Sequence, residues 1–243
     1  MLRFPLRFLA AGLLACVVAS GARASTFTYG DFTGTTVDFV GVAENTGATP
    51  YALFDTPTAF GDSLSFSPTD FASFAANGGS DSVSGTLTMT IRAHAGLALG
   101  KITLDELGDY ALTGIASSSA SASVLGNLTV VDVTPGTNAP LFAGSVFNPV
   151  SPYTLAGGAT SGAFQGSASL DLAGLGIREV SLTFVSTLAT QAGAGATAII
   201  QAKSFHGPQL SATAGPAVPE PAAALVFGVG GLLVAAAARR HAV

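Results

Sequence analysis

Residues 82–93 read Ser-Val-Ser-Gly-Thr-Leu-Thr-Met-Thr-Ile-Arg-Ala, so polar and small or apolar side chains alternate along the whole stretch. Successive side chains of a β-strand point to opposite faces, and a period of two therefore predicts a long strand with one buried and one solvated face. The same alternation returns at 164–172 and 180–184, and more weakly at 196–203. These four segments predict a domain built from half-buried strands.

Further strands are predicted where β-forming runs lie between turn-forming clusters of Gly, Pro, Asn and Ser. These runs are 26–32, 36–42, 63–67, 99–104, 109–115 and 125–133. One short helical segment is expected at 68–74, with Ser67 as its N-cap and Pro68 in its first position. About ten strands and no long helix predict an all-β fold. We expect a single antiparallel β-sandwich of jelly-roll type over residues 25–206.

The composition excludes several classes of function. Only 9% of the 243 residues are charged, Trp is absent and Phe occurs 16 times. Residues 25–206 contain four basic and 13 acidic residues, and a domain with that acidic excess cannot neutralise phosphates, so nucleic acid is not expected as a partner. We expect most of the Phe side chains in the first half of the domain to fill its core rather than to form a sugar-stacking platform. They are Phe32, Phe39, Phe54, Phe60, Phe66, Phe71 and Phe74.

The N-terminus has the pattern of a secretory signal peptide over residues 1–24. Arg3 and Arg7 precede an apolar run at 8–18, and Ala22-Arg23-Ala24 precedes Ser25, the expected first residue after cleavage. The apolar run is about half the length of the roughly 20 residues that a membrane span needs. An alternative is a lipobox at Leu13-Leu14-Ala15-Cys16, in which Cys16 would carry a lipid. Cys16 is the single cysteine, so its removal would exclude disulfides and thiolate chemistry from the mature chain.

The C-terminus is organised as three successive segments. Residues 207–217 are rich in Gly, Pro, Ser and Ala and predict a linker, which is followed by Val218-Pro219-Glu220-Pro221. The uncharged run 222–238 would form a helix about 25 Å long, which is just enough to span a bilayer. The tail 239–243 begins with Arg239 and Arg240, which favours a cytoplasmic position for this end of a transmembrane helix.

This order of elements resembles the PEP-CTERM sorting signal of Gram-negative bacteria, which also carries the label of ice-binding proteins that share the tail. The resemblance covers residues 218–243, with the four motif residues, the apolar span and the basic end in order. Residues 61–66, 77–81 and 102–112 also resemble the ectodomains of other PEP-CTERM proteins. The resemblance implies recognition by an exosortase-type membrane protease, transient anchoring in the inner membrane, and export together with exopolysaccharide into a biofilm matrix.

Residues with the chemistry of a catalytic or metal site are sparse. Asp105-Glu106-x-x-Asp109 is a tight acidic cluster on an expected turn between two strands, and its oxygen ligands make it a weak candidate for Ca²⁺. His94 and His206 each end a predicted strand and have no metal-ligand spacing. Thr86, Thr88 and Thr90 form one row on a strand face, as β-propensity alone would produce. No cofactor is expected.

These observations favour a non-enzymatic, exported protein of the cell envelope or the extracellular matrix, associated with exopolysaccharide. The alternative is an adhesion module that binds carbohydrate or calcium at a defined site. A third hypothesis, an extracellular hydrolase, needs a pair of carboxylates or a His constellation that the sequence does not display.

The two ends predict the mass of the exported protein. Because the signal peptide and the tail would both be removed, protein recovered outside the producing cells should begin at Ser25 and end near Pro219–Pro221. Intact-mass spectrometry of the secreted and the membrane fractions measures this directly. A product that retains residues 222–243 and occurs only in membranes would contradict processing and would indicate a permanent anchor.

Overall fold

The computed structural model describes residues 24–115, 117–133, 140–203 and 208–217, and these residues form strands joined by turns and loops. The strands are β1 Thr26–Thr33, β2 Val37–Asn45, β3 Thr58–Phe60, β4 Ser63–Ser65, β5 Ala72–Ala76, β6 Ser80–Ala93, β7 Leu97–Gly114, β8 Ala120–Asp132, β9 Pro140–Gly144, β10 Val146–Asn148, β11 Tyr153–Thr154, β12 Ala159–Asp171, β13 Glu179–Ala192, β14 Ala196–Ala202 and β15 Gln209–Pro216. Within these ranges there is no helix long and apolar enough to span a membrane. Residues 1–23, which hold most of the predicted signal peptide, and residues 218–243 lie outside the described residues.

The strands form two antiparallel sheets that pack face to face. The first sheet has the order β1-β2-β6-β13-β8-β11, and β9 also pairs with β8. The second has the order β10-β12-β7-β15-β4-β3, and β14 pairs with both β7 and β5. The prediction of an all-β chain with two packed antiparallel sheets is therefore confirmed.

The core lies between the sheets because the alternating strands bury their apolar side. On β6, Leu87, Met89 and Ile91 point inward, and on β13 Leu182 and Phe184 do the same. Burying one such side chain contributes roughly 1.5–3 kcal/mol relative to leaving it in water, so this pattern alone selects the register.

Phe54 is the centre of the aromatic part of the core. Its ring lies edge-on to the rings of Phe66 and Phe71, with centroid distances of 6.0 and 5.1 Å. The ring of Phe184, from β13, has its centroid 5.9 Å from that of Phe54. The expectation that the early Phe residues fill the core is correct for most of them but wrong for Phe60 and Phe74. Phe60 is at the tip of the β3–β4 hairpin and Phe74 points outward from β5, so both are exposed.

The linker predicted at 207–217 is wrong for most of its length. Residues 209–216 are β15, which pairs with β7 along its full length and with β4 at its start. Leu210 and Ala212 are buried and alternate with Gln209, Ser211 and Thr213, so this segment also has a period of two.

Two local predictions also fail. The helical segment expected at 68–74 is absent, because residues 72–76 form β5, whose Ser73 and Ala75 point into the core. The strands expected at 99–104 and 109–115 are one continuous strand, β7, which pairs with β12 through thirteen successive residues. The turn between them does not exist, and this changes the position of the acidic cluster.

Candidate functional site

The outward side of the first sheet is rich in hydroxyl groups. Its three central strands, β6, β13 and β8, pair over thirteen residues on each side of β13 without a register shift. Outward side chains therefore line up across the sheet: Thr88 lies opposite Thr183, and Thr183 lies opposite Thr129. We call this surface the hydroxyl face; it consists of Ser82, Ser84, Thr86, Thr88 and Thr90 of β6, Ser181, Thr183 and Thr187 of β13, and Ser123, Asn127 and Thr129 of β8.

The hydroxyl face is uncharged. Its remaining outward positions are filled by Val185, Ala189, Leu125 and Val131. Charged groups lie at both ends of the face. At one end Asp81 lies beside Ser82. At the opposite end the Arg92 guanidinium contacts the Glu179 carboxylate through two nitrogens at 2.9 and 3.0 Å. This hydrogen-bonded pair lowers the pKa of Glu179, so both groups stay ionised and matched. The face therefore presents hydrogen-bond donors and acceptors with little electrostatic field.

A shallow groove of about 620 Å³ lies at the other end of the hydroxyl face. We call it the end groove, and its polar lining comes from one carboxyl side chain, Asp81, and from Ser80, Ser82, Ser121, Ser123, Thr190 and Gln191. A second hollow of about 440 Å³ continues over the end of the sheet and shares Ser121 and Gln191 with the first. The two hollows therefore adjoin, and Ser and Thr supply half of the residues that line them.

Sequence reasoning found the Thr row on β6 but missed the plane. A single row is what any solvent-facing strand displays, whereas the plane depends on which strands pair with it. The hydrogen bond between the Ser84 and Thr187 hydroxyls, 2.9 Å long, joins residues more than a hundred positions apart. The separate alternations on β6, β8 and β13 were the available signal.

The acidic cluster lies in a strand and not in a turn, and its three carboxyl groups do not point to a common site. Asp105, Glu106 and Asp109 all lie in the middle of β7, where Glu106 points inward and the two Asp residues point outward. The Asp109 carboxylate is 3.0 Å from the Lys203 ammonium. The hypothesis of a calcium-binding turn is therefore wrong in its geometry. In the described part of the chain, no three His, Cys, Asp or Glu side chains are grouped so that they could hold a metal ion.

Glu106 is instead a buried carboxyl group between the two sheets. It accepts hydrogen bonds from the Ser145 and Ser186 hydroxyls, each 2.8 Å long. A Cβ at position 126 would lie 2.1 Å from its Oε1 atom, so only Gly126 leaves room for the carboxyl group. Burial raises the pKa of Glu106 to about 7 and outweighs the two hydroxyl donors, which lower it. This role could not be predicted from the sequence, because the hydroxyl donors come from distant parts of the chain: Ser145 joins β9 to β10, and Ser186 lies in β13.

The remaining candidates have structural partners or lie elsewhere. The Nε2 atom of His94 is 3.2 Å from the Asp38 carboxylate, and both side chains are about one-third exposed, as suits a solvated pair at a strand end. His206, Ala22, Val218, Pro219, Glu220, Pro221, Arg239 and Arg240 lie outside the described residues. Ala24 and Ser25 begin the described chain, and the Ser25 amide donates to the Gly47 carbonyl at 3.0 Å.

Comparisons with known proteins give only distant likenesses. No family model and no curated protein matches this chain. The carbohydrate-binding module TmCBM61, solved in complex with β-1,4-galactotriose, is 12% identical over 78% of this chain and 88% of that chain, with a TM-score of 0.17. A mutant carbohydrate-binding module of family 29 is 10% identical over 79% of this chain and 93% of that chain, with a TM-score of 0.17. A structure of infectious bursal disease virus has a TM-score of 0.21 and 10% sequence identity, over 88% of this chain and 59% of that chain. Scores this low carry no argument about function.

The buried carboxyl predicts how stability depends on pH. The pKa of Glu106 in the folded protein is about 7, above the ordinary value of 4.5. Below pH 4.5 the carboxyl group is therefore protonated in both the folded and the unfolded protein and does not oppose folding. The free energy of unfolding should then fall by about 3 kcal/mol as pH rises from 4.5 through 7. Glu106→Gln, which cannot ionise, should remove this loss. Urea unfolding of both proteins from pH 4 to 8 measures the difference.

Glu179→Gln is the matched control, because its pKa shift has the opposite sign. Its pairing with Arg92 stabilises the folded protein above the ordinary pKa and is lost in acid, and the effect should be small because the pair is largely solvated. Parallel stability curves for the wild type and Glu106→Gln would contradict the assignment of Glu106 as a buried, titrating group.

Proposed function

We propose that this protein is a non-enzymatic polysaccharide-binding protein and that the hydroxyl face with its end groove is the binding surface. One observation carries the proposal: three neighbouring strands align their outward Ser, Thr and Asn side chains into an uncharged plane. A hydroxyl group both donates and accepts hydrogen bonds, as the hydroxyl groups of a sugar do. The plane therefore matches a neutral glycan chemically over several consecutive sugar units.

Extended contact is needed because each bond is weak. A net hydrogen bond contributes about 0.5–1.5 kcal/mol, since it replaces bonds to water. Many such contacts along one polymer add up to useful avidity, and a repeating ligand can engage a repeating surface. The acidic excess of residues 25–206 disfavours anionic polymers, so the proposal is specific for neutral polysaccharides.

We also propose that the protein acts outside the cell, in the envelope or the polysaccharide matrix. Support for this comes from the predicted signal peptide at 1–24 and from the resemblance of residues 218–243 to a PEP-CTERM signal, with an exosortase-type protease as the processing partner. The finer description of the sandwich as a jelly roll is supported by the long strands, which change sheet at each of the connections β6–β7, β7–β8, β12–β13 and β13–β14.

The binding proposal is tested by affinity electrophoresis of residues 25–217 through gels containing neutral glucomannan, neutral dextran or anionic alginate. At least one neutral polymer should retard the protein, whereas alginate should not. The double variant Thr88→Val and Thr183→Val keeps side-chain shape but removes two central hydroxyls. It should weaken retardation by roughly fivefold or more, the effect expected for one or two lost hydrogen bonds.

The matched control is the double variant Thr103→Val and Thr213→Val, which removes two outward hydroxyls from the second sheet. It should bind as the wild type does. An equal loss in both variants, or the absence of retardation by either neutral polymer, would overturn the hydroxyl face as the binding surface.

A further inference from the structure

A third hollow lies beside the end groove and has a different lining. It measures about 510 Å³ and is bounded mainly by Leu125, Val146, Val150 and Phe147, with serines at its margin. Ser123 belongs to both hollows, so the apolar wall begins where the hydroxylated groove ends. A ligand that lies in the end groove would therefore meet an apolar surface on this side.

The wall is unusually exposed for aliphatic residues. Val146, Val150 and Leu125 are 79%, 81% and 57% exposed, although they come from three separate segments of the chain. Contiguous apolar side chains left in water commonly mark a surface that a ligand covers. They are not core residues: Leu125 lies on the side of β8 opposite the buried Val124 and Leu128, and Val146 and Val150 are about four-fifths exposed.

We propose that the bound polysaccharide carries small acyl substituents, with O-acetyl groups seated against the wall of Leu125, Val146 and Val150. This inference rests on the proposed function and deepens it. The flat face of an unsubstituted sugar ring is usually covered by an aromatic side chain, whereas branched aliphatic side chains form a wall that suits a methyl group. The neighbouring hydroxyls of Ser123 and Ser151 can donate to the acceptor oxygens of the ester, since the Ser151 oxygen accepts from the Val124 amide and keeps its own O–H. The Ser145 hydroxyl, by contrast, already donates to Glu106.

The uncharged lining of the third hollow is consistent with this ligand. An O-acetyl group adds an apolar methyl and a carbonyl acceptor to a sugar without adding charge. The sugar would lie along the polar side chains of the end groove, and the methyl would lie against the apolar side chains of the third hollow. A phospholipid surface would instead favour basic residues around the wall, and the lining consists of Ser, Val, Leu and Phe.

The test uses oligosaccharides cut from one batch of O-acetylated glucomannan, half of which are deacetylated with dilute alkali. Isothermal titration calorimetry of residues 25–217 should give about five- to tenfold tighter binding of the acetylated half. The double variant Val146→Thr and Val150→Thr preserves side-chain shape and should abolish this preference while leaving binding of the deacetylated half unchanged. Val133, an exposed valine directly after β8, provides the matched control: Val133→Thr should retain the preference.

Equal affinity for both halves would overturn the acyl inference and leave the hydroxyl face standing. If neither half bound and no other neutral polymer retarded the protein, the proposed function itself would fail. A preference for acetyl groups that survives in the double variant, or binding to phosphatidylcholine vesicles in place of either oligosaccharide, would also overturn the assignment of this wall.

Discussion

The register of β13 between β6 and β8 is the constraint on which the core and the surface both depend. Because side chains alternate along a strand, a slip of one residue would turn Leu182 and Phe184 to the solvent and Thr183 into the core. Burial of the inward side chains therefore fixes the register, and the register fixes which outward side chains lie opposite one another. The apolar half of each strand stabilises the fold, and the same pairing aligns the hydroxyls into a plane.

Two buried glutamates hold separate segments of the sandwich together, although burying a carboxyl group costs free energy. Glu106 reaches from the second sheet to Ser186 on the first, and Glu44 accepts hydrogen bonds from Tyr29 and from the amides of Leu53 and Phe54. Burial raises the pKa of both groups, so each carboxyl is harder to ionise in the folded protein than in water. Glu44 fixes the loop that delivers Phe54 into the core, and Glu106 joins the two sheets behind the hydroxyl face. Polar bridges of this kind are geometrically demanding, and they specify one packing of the sheets.

The sequence predicted the elements better than their partners. The alternation at 82–93 predicted β6 to within two residues, because periodicity is a local property. The strand at 209–216 was missed because its Gly, Pro and Ala content suggested a linker, although Leu210 and Ala212 already carried the pattern of a strand. The acidic cluster at 105–109 suggested a turn, since nothing local reveals that Glu106 will find Ser145 and Ser186. The hydroxyl plane was equally hidden, because β6 and β13 are about a hundred residues apart.

Mapping a bound glycan onto the sheet residue by residue tests most directly whether the hydroxyl face is the binding surface. Amide chemical shifts of isotopically labelled residues 25–217 would be recorded by NMR during titration with deacetylated glucomannan oligosaccharides. If the hydroxyl face binds the glycan, the perturbed amides should lie along β6, β13 and β8, with the largest changes near Gln191 and Ser121. Changes confined to the second sheet or the loops between strands would contradict binding by this face.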